Sequence, residues 1–322
     1  MQYKPIPNTQ LSPSIICLGT ALFGTDVDEA TAFSLLDTFF EHGGTFLDSA
    51  HAYGEWVPDG IGRSERVIGT WLKERGLRGR MVLATKGGQP YEATPHLSRL
   101  SHDEIVSDLD GSLQCLQVDC IDLYWLHRDD PARPVADILA TLNEQVTLGK
   151  IRYFGCSNWH TDRIREAMQF AAQHTCAGFV GNQLMWSFAI PNPQGIEDTS
   201  LVFMDEQMLK FHRKTKLAAL AYSSQARGFF SKLSNGATAL SERLRKTYDN
   251  AENRERLQRL QTMSDELSLS IPTLLLAFLT NQPFPTFPIS GNTSVQQLLE
   301  NIQAGDVVLR ADALRYLERG DD

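Results

Sequence analysis

"FLDSAHAYGEWVPDGIGRSERVIGTWLKERGLRGRMVLATK", residues 46–86, holds one complete unit of the fold. It opens on a short apolar run that ends in Asp48. A loop carrying Tyr53 follows. "SERVIGTWLKERG" (64–76) begins with Ser then Glu, a helix-start signal, and closes on a glycine. "MVLATK" (81–86) is a second apolar run, ending in Lys86. Strand, helix and strand in this order make a crossover between parallel neighbours.

The same alternation continues on both sides. The further strand candidates are "SIICLGTA" (14–21), "CIDLYWLH" (120–127), "KIRYFGCS" (150–157), "GFVGNQ" (178–183), "KLAALAYS" (216–223) and "PTFPIS" (285–290). Between them lie segments of helical spacing. "EATAFSLLDTFFEHGG" (29–44) puts Phe33, Leu36, Phe39 and Phe40 on one stripe and ends in a Gly pair suited to a C-cap. Eight such units predict an α/β chain closed as a (β/α)8 TIM barrel, one domain over residues 1–322. A doubly wound open sheet would carry an early GxGxxG, and "GTALFG" (19–24) does not fit that spacing. Residues 1–12 are expected to form an N-terminal β-hairpin cap. "SVQQLLENIQA" (294–304) and "RADALRYLERG" (310–320) are the extra C-terminal helices that complete the shell.

Composition excludes several classes. The net charge of −9 argues against a general nucleic-acid binder, which would present a basic face. Five cysteines, Cys17, Cys115, Cys120, Cys156 and Cys176, are scattered with no CxxC pair, so neither a zinc ribbon nor a disulfide framework is expected. No metal site is expected either. The opening "MQYKPIPNTQLSPS" has no apolar h-region. "IPTLLLAFLT" (271–280) is too short to span a bilayer. A cytoplasmic protein with no membrane partner is the expectation; the residues do not specify an oligomeric state.

In such barrels the chemistry lies at the C-terminal strand ends. The second, third and fourth strands end in Asp48, Lys86 and His127, and Tyr53 stands just beyond the second. Ionisable groups capping apolar runs are costly unless paired, so the set is expected to converge. A tyrosine near pKa 10 exchanges protons poorly at neutral pH, and a neighbouring ammonium lowers that value. Asp48 would hold Lys86, Lys86 would make Tyr53 more acidic, and His127 would donate to a substrate oxygen. A phenol giving a proton to a carbonyl oxygen calls for a hydride at the carbon, hence a nicotinamide cofactor.

At this point the chain resembles the aldo-keto reductases, in their bacterial sugar- and aldehyde-acting branch. The resemblance rests on "GTALFG", "FLDSAHAYG", "GRSERVIG", "LATKGG", "LQVDCIDLYWLHRDD", "GKIRYFGCSNW", "GNQ", "AYSSQARGFFS" and "ISGNTSVQQLLEN", in the family's order. It implies a tetrad of Asp48, Tyr53, Lys86 and His127. It also implies that Ser157, Asn158 and Gln183 hold the nicotinamide carboxamide, that Tyr222 stacks on the ring and that Ser223 lies near the pyrophosphate. Gly19, Thr20 and Ala21, with Gln225 and Arg227, would border the cofactor. Gly291, Asn292 and Thr293 would meet its phosphate end, where helix N-terminal amides suit an anion. Gln297 and Asn301 would contact the adenosine. Phe23, Trp56 and Trp159, with Trp186, would line the substrate pocket. The implied partner is a small carbonyl or sugar substrate, in an NAD(P)H-dependent oxidoreductase. A cofactor-binding regulatory subunit similar to channel β subunits is the alternative.

The chain departs from that pattern at the adenosine end. Many members hold the 2′-phosphate of NADPH with Arg or Lys, and none occurs here between Arg259 and Arg310. The expected cofactor is NADP(H) or NAD(H), with a lean to NADPH and Arg227 as a possible compensating cation. Residues 224–261, rich in charge and helix formers, would lie over the cofactor as a lid or form a solvated insertion.

Overall fold

The computed structural model describes residues 1–237 and 239–320. Eight strands, β1 (Cys17–Gly19), β2 (Phe46–Asp48), β3 (Val82–Gly87), β4 (Ile121–Leu126), β5 (Ile151–Ser157), β6 (Gly181–Met185), β7 (Ala218–Tyr222) and β8 (Thr286–Gly291), pair in parallel and close as a barrel. The helices of the shell are α1 (Glu29–Glu41), α2 (Arg63–Arg75), α3 (His102–Leu116), α4 (Val135–Thr147), α5 (Thr161–His174) and α6 (Glu206–Thr215). Then come α7 (Phe229–Ser234), α8 (Glu242–Tyr248), α9 (Ala251–Leu267), α10 (Ile271–Thr280), α11 (Val295–Ile302) and α12 (Ala311–Arg319). The fold is the expected (β/α)8 barrel.

Strand alternation sorts the side chains into two layers. Phe46, Ala84, Leu123, Trp125, Ala218, Leu220 and Phe287 point into the barrel and pack together. Their neighbours Leu47, Leu83, Tyr124 and Ala219 point outward to the helices. Trp125 fills the barrel's middle, and a Cβ at Gly155 would lie 2.2 Å from its indole, so β5 needs a glycine opposite it. The same parity carries Asp48, Lys86, His127, Ser157, Gln183 and Tyr222 to the inward face, above this apolar layer. Register sets their heights: Asp48 pairs with Ala84, so Lys86 stands two residues further along β3.

The N-terminal cap is less regular than a hairpin. Lys4 and Ile6 N–H groups donate to Pro13 and Leu11, but Tyr3–Ser14 is the one antiparallel bridge recorded there. Pro5, Pro7 and Pro13 have no N–H to extend the ladder. Buried Ile6 and Leu11 still plug the barrel's lower end against the Phe46–Phe287 layer.

"IPTLLLAFLT" is α10, buried in the shell at every residue but Pro272. No helix among the described residues is long and apolar enough to cross a membrane. Ser64 and Glu65 are not caps. Helix α2 starts at Arg63, after Gly62 in a left-handed conformation with no side-chain cap, and both residues are buried in its first turn.

Candidate active site

Lys86 organises the centre. Its ammonium donates to Asp48 Oδ2 at 2.6 Å, to the Ser49 carbonyl at 2.5 Å and to the Tyr53 hydroxyl oxygen at 3.1 Å. An ammonium has three protons, and these three acceptors use them all. Asp48 Oδ1 accepts from the Gln183 amide at 2.9 Å. Tyr53 therefore receives a hydrogen bond from beneath, and its own proton is left to point elsewhere. Its ring stands edge-on to His127, with centroids 6.1 Å apart. The loop bearing Tyr53 turns through Gly54, at φ +103°, where a Cβ would lie 2.3 Å from the Gly60 carbonyl.

The electrostatics differ from the sequence expectation at Tyr53. Burial raises the phenol's pKa, the Lys86 charge pulls it down, and the net position is above the ordinary 10. Lys86 offsets desolvation without reversing it. Burial would lower Lys86 itself, but Asp48 and Tyr53 outweigh that and hold it above its ordinary value. Burial, then the Arg128 and Lys86 charges, push His127 well below 6.5, so its imidazole is neutral at neutral pH. His127 Nδ1 is buried without a partner among the described residues.

A cleft of ≈ 1460 Å³ opens over this centre and runs across the C-terminal ends of the strands. Asp48, Tyr53 and His127 line it, as do Gly19, Thr20 and Ala21 after β1. Ser157, Asn158, Gln183, Tyr222 and Ser223 form its next stretch. Gln225, Arg227, Gly291, Asn292, Thr293, Gln297 and Asn301 form its far end. Lys86 lies below the floor, 1% exposed.

Several of these side chains are already committed to one another. Asn158 Nδ2 donates to the His127 carbonyl and to Ser157 Oγ, both at 3.1 Å. Its Oδ1 accepts from the Tyr222 hydroxyl at 2.6 Å and from Val202 N–H at 3.1 Å. Asn158 thus ties β4, β5 and β7 together, and all four of its hydrogen-bonding positions are used. Asn301 donates to Asn292 Oδ1 at 2.7 Å and accepts from Gln225 Nε2 at 2.7 Å. Thr293 N–H and hydroxyl both donate to Gln297 Oε1 at 3.0 Å.

The aromatic residues divide. Phe23 and Trp56 line the cleft, Trp56 with 43% of its surface exposed. Trp159 does not, which corrects the expectation. It is 0% exposed, donates to the Arg128 carbonyl and packs edge-on to Phe179. Asn158, at φ +60°, turns the chain just before it and sends the indole into the helix layer. Trp186 stacks on Phe284 and borders a separate cavity with Phe188 and Tyr248.

Other cleft residues were not singled out in the sequence, some standing on loops and others on the short helices after β7. Arg128 donates to its neighbour's carbonyl, to Ser200 Oγ at 2.9 Å and to Asp198 at 3.2 Å. Glu92 and Asp198 join it at the Tyr53 end. Lys232 on α7 and Arg243 on α8 also line the cleft, so the segment after β7 forms one of its walls. Arg227 is lowered by burial and then by the charge of Arg243, which marks a cationic wall.

The chain belongs to the aldo/keto reductase family, a family of NAD(P)-dependent oxidoreductases; the family's model matches residues 15–321. It is 31% identical to "uncharacterized oxidoreductase YrpG" of Bacillus subtilis, over 98% of this chain and 95% of that one. It is 28% identical to norsolorinic acid reductase A of Aspergillus parasiticus, over 98% and 79%. It is 26% identical to a probable voltage-gated potassium channel subunit beta of Arabidopsis thaliana, over 96% and 92%. Among solved structures, the thermostable aldo-keto reductase Tm1743 shares the fold, with a TM-score of 0.73, 24% identity and 99% coverage of both chains.

Proposed function

We propose that the chain reduces an aldehyde, ketone or sugar carbonyl to the alcohol, with Tyr53 as the proton donor and a nicotinamide cofactor along the cleft. The observation that carries this reading is the Lys86 ammonium. It is neutralised by Asp48 and hydrogen-bonded to the Tyr53 oxygen at 3.1 Å. A phenol held this way keeps its proton until a negative charge develops on the carbonyl oxygen, and the ammonium then stabilises the phenolate left behind.

The residues present suit the cofactor. Ser157 and Gln183 offer polar groups beside the Tyr222 ring near the centre, and Arg227, Lys232 and Arg243 offer positive charge along the wall after β7. When bound, a reduced nicotinamide supplies the hydride to the carbonyl carbon. Neutral His127 would orient the carbonyl oxygen toward Tyr53. Gln183 would hold Asp48, and Asn158 would hold the His127 backbone and Tyr222. Phe23 and Trp56 would border the substrate. The cationic wall supports the lean to NADPH, since a 2′-phosphate adds charge to be matched.

A fluorescence titration with NADPH and NADH, followed by absorbance decay with a panel of aldoses and simple aldehydes, tests the proposal. Binding with multiple turnovers is the expected result; binding of neither cofactor would refute it. The name of the plant relative favours a second reading, a cofactor-binding regulatory subunit, which would bind cofactor without appreciable turnover.

A further inference from the structure

Two fully buried polar side chains at the start of α2 have no part in the chemistry above. Ser64 and Glu65 are both 0% exposed. Glu65 Oε1 accepts from the Thr85 hydroxyl at 2.6 Å, and Oε2 lies 3.0 Å from His51 Nδ1. Thr85 immediately precedes Lys86 on β3, and the His51 N–H donates to the Lys86 carbonyl at 2.9 Å. His51 is two residues before Tyr53. Ser64 Oγ lies 2.8 Å from both oxygens of Thr20 and 3.0 Å from Ser49 Oγ. The Ser49 carbonyl is one of the three acceptors of the Lys86 ammonium.

These contacts converge on the residues flanking the centre. Ser49 and Thr85 adjoin Asp48 and Lys86, and His51 begins the turn that carries Tyr53. A barrel helix needs no buried carboxylate to pack, and burying one is costly unless its hydrogen bonds are made. We propose that Ser64 and Glu65 are positioning residues, which fasten the first turn of α2 to β3 and to the loop after β2 and so hold Lys86 within hydrogen-bond reach of Tyr53. The proposal rests on the reductase reading above. Cys115 also comes near His51 and Glu65. The cluster is not assigned as a metal site, because the Arg66 guanidinium stands 3.7 Å from the Cys115 sulfur and His51 and Glu65 already bond to each other.

The geometry matters because proton transfer depends on a fixed donor. A displacement of about 1 Å in such a group can cost on the order of a hundredfold in rate. Glu65→Ala removes both hydrogen bonds. Thr85→Val removes one hydroxyl at nearly constant volume. Glu65→Gln keeps an acceptor for Thr85, and its N–H is accepted by His51 Nδ1 once the imidazole takes its Nε2–H tautomer.

The test measures kcat, KM, cofactor dissociation constant and solvent deuterium isotope effect for the three variants and the wild type. Glu65→Ala is expected to lower kcat about tenfold or more, with a larger isotope effect and a cofactor affinity within about twofold of wild type. Thr85→Val is expected to show a smaller loss of the same kind, and carries the test if Glu65→Ala does not fold. Glu65→Gln is expected to restore most of kcat. A folded Glu65→Ala or Thr85→Val with wild-type kcat and isotope effect would overturn the proposal. So would a Gln variant no better than Ala. A wild-type protein that binds cofactor but reduces no carbonyl would overturn the reductase reading, and this proposal with it.

Discussion

The Lys86 ammonium reaches the Tyr53 hydroxyl oxygen at 3.1 Å while it is paired with Asp48 at 2.6 Å, both Lys86 and Asp48 being 1% exposed. The pair is an ion pair taken out of water. Removing one partner strands the other, a loss of about 3–5 kcal/mol in comparable sites. Lys86→Met should therefore lower stability toward urea by roughly that amount. Adding Asp48→Asn should recover part of it, because no stranded charge remains. A double variant that is simply the sum of the two single losses would show that the pair is not coupled.

The pH dependence of reduction follows from two directions of shift. Tyr53 sits above 10, so it stays protonated through neutral and mildly alkaline pH. Burial holds His127 well below 6.5, so it does not titrate at the ordinary histidine value. The kcat for reduction should then be flat from about pH 6 to 8, with no limb near the ordinary histidine value. A steady-state profile with an inflection close to 6.5 would mean that His127 is solvated and titrating normally.

Acid stability has a separate source at the outer wall. His212 is 0% exposed, with Nδ1 2.9 Å from the Leu217 carbonyl, and burial lowers its pKa to about 4. Its folded value lies below its unfolded value of about 6.5, so the unfolded chain binds the extra proton first. The stabilisation is complete above 6.5 and is lost as pH falls from there toward 4, by ~3 kcal/mol. Urea curves at pH 7 and pH 4.5 should show a smaller drop for His212→Gln than for the wild type. An equal drop in both would remove His212 as the cause. Asp129, raised to about 6 by burial, works in the opposite direction and makes this variant comparison necessary.

Cofactor choice is proposed to depend on the cationic wall after β7. Arg243→Ala should weaken NADPH binding about tenfold or more, the value of one charge-assisted hydrogen bond, and should weaken NADH binding less. Equal losses for the two cofactors would place Arg243 at the pyrophosphate, and no loss for either would place it in solvent.

Much of this was legible in the sequence. Each of the eight apolar runs is a strand, because short β-branched or apolar stretches between amphipathic helices have no other way to bury both faces. Strand parity then carried Asp48, Lys86 and His127 to one mouth. The loops were not legible. Trp159 follows a left-handed Asn158 and turns into the helix layer, a choice made by one backbone angle. Arg243, Lys232 and Asp198 reach the cleft only through the path of long connections. Glu65 sits in a quoted motif, yet reads as a helix start until its burial is seen. The direction of the Tyr53 shift depends on how much water burial removes, and no residue pattern encodes that amount.

The most direct test of the central claim is a single turnover. Wild-type protein and Tyr53→Phe are each loaded with NADPH, mixed with excess aldehyde at pH 7, and followed by loss of nicotinamide absorbance. Both proteins should bind cofactor within about threefold of each other, and the variant's rate should be lower by about 10²-fold or more. A Tyr53→Phe protein that consumes its bound cofactor at the wild-type rate would contradict the assignment of Tyr53 as proton donor.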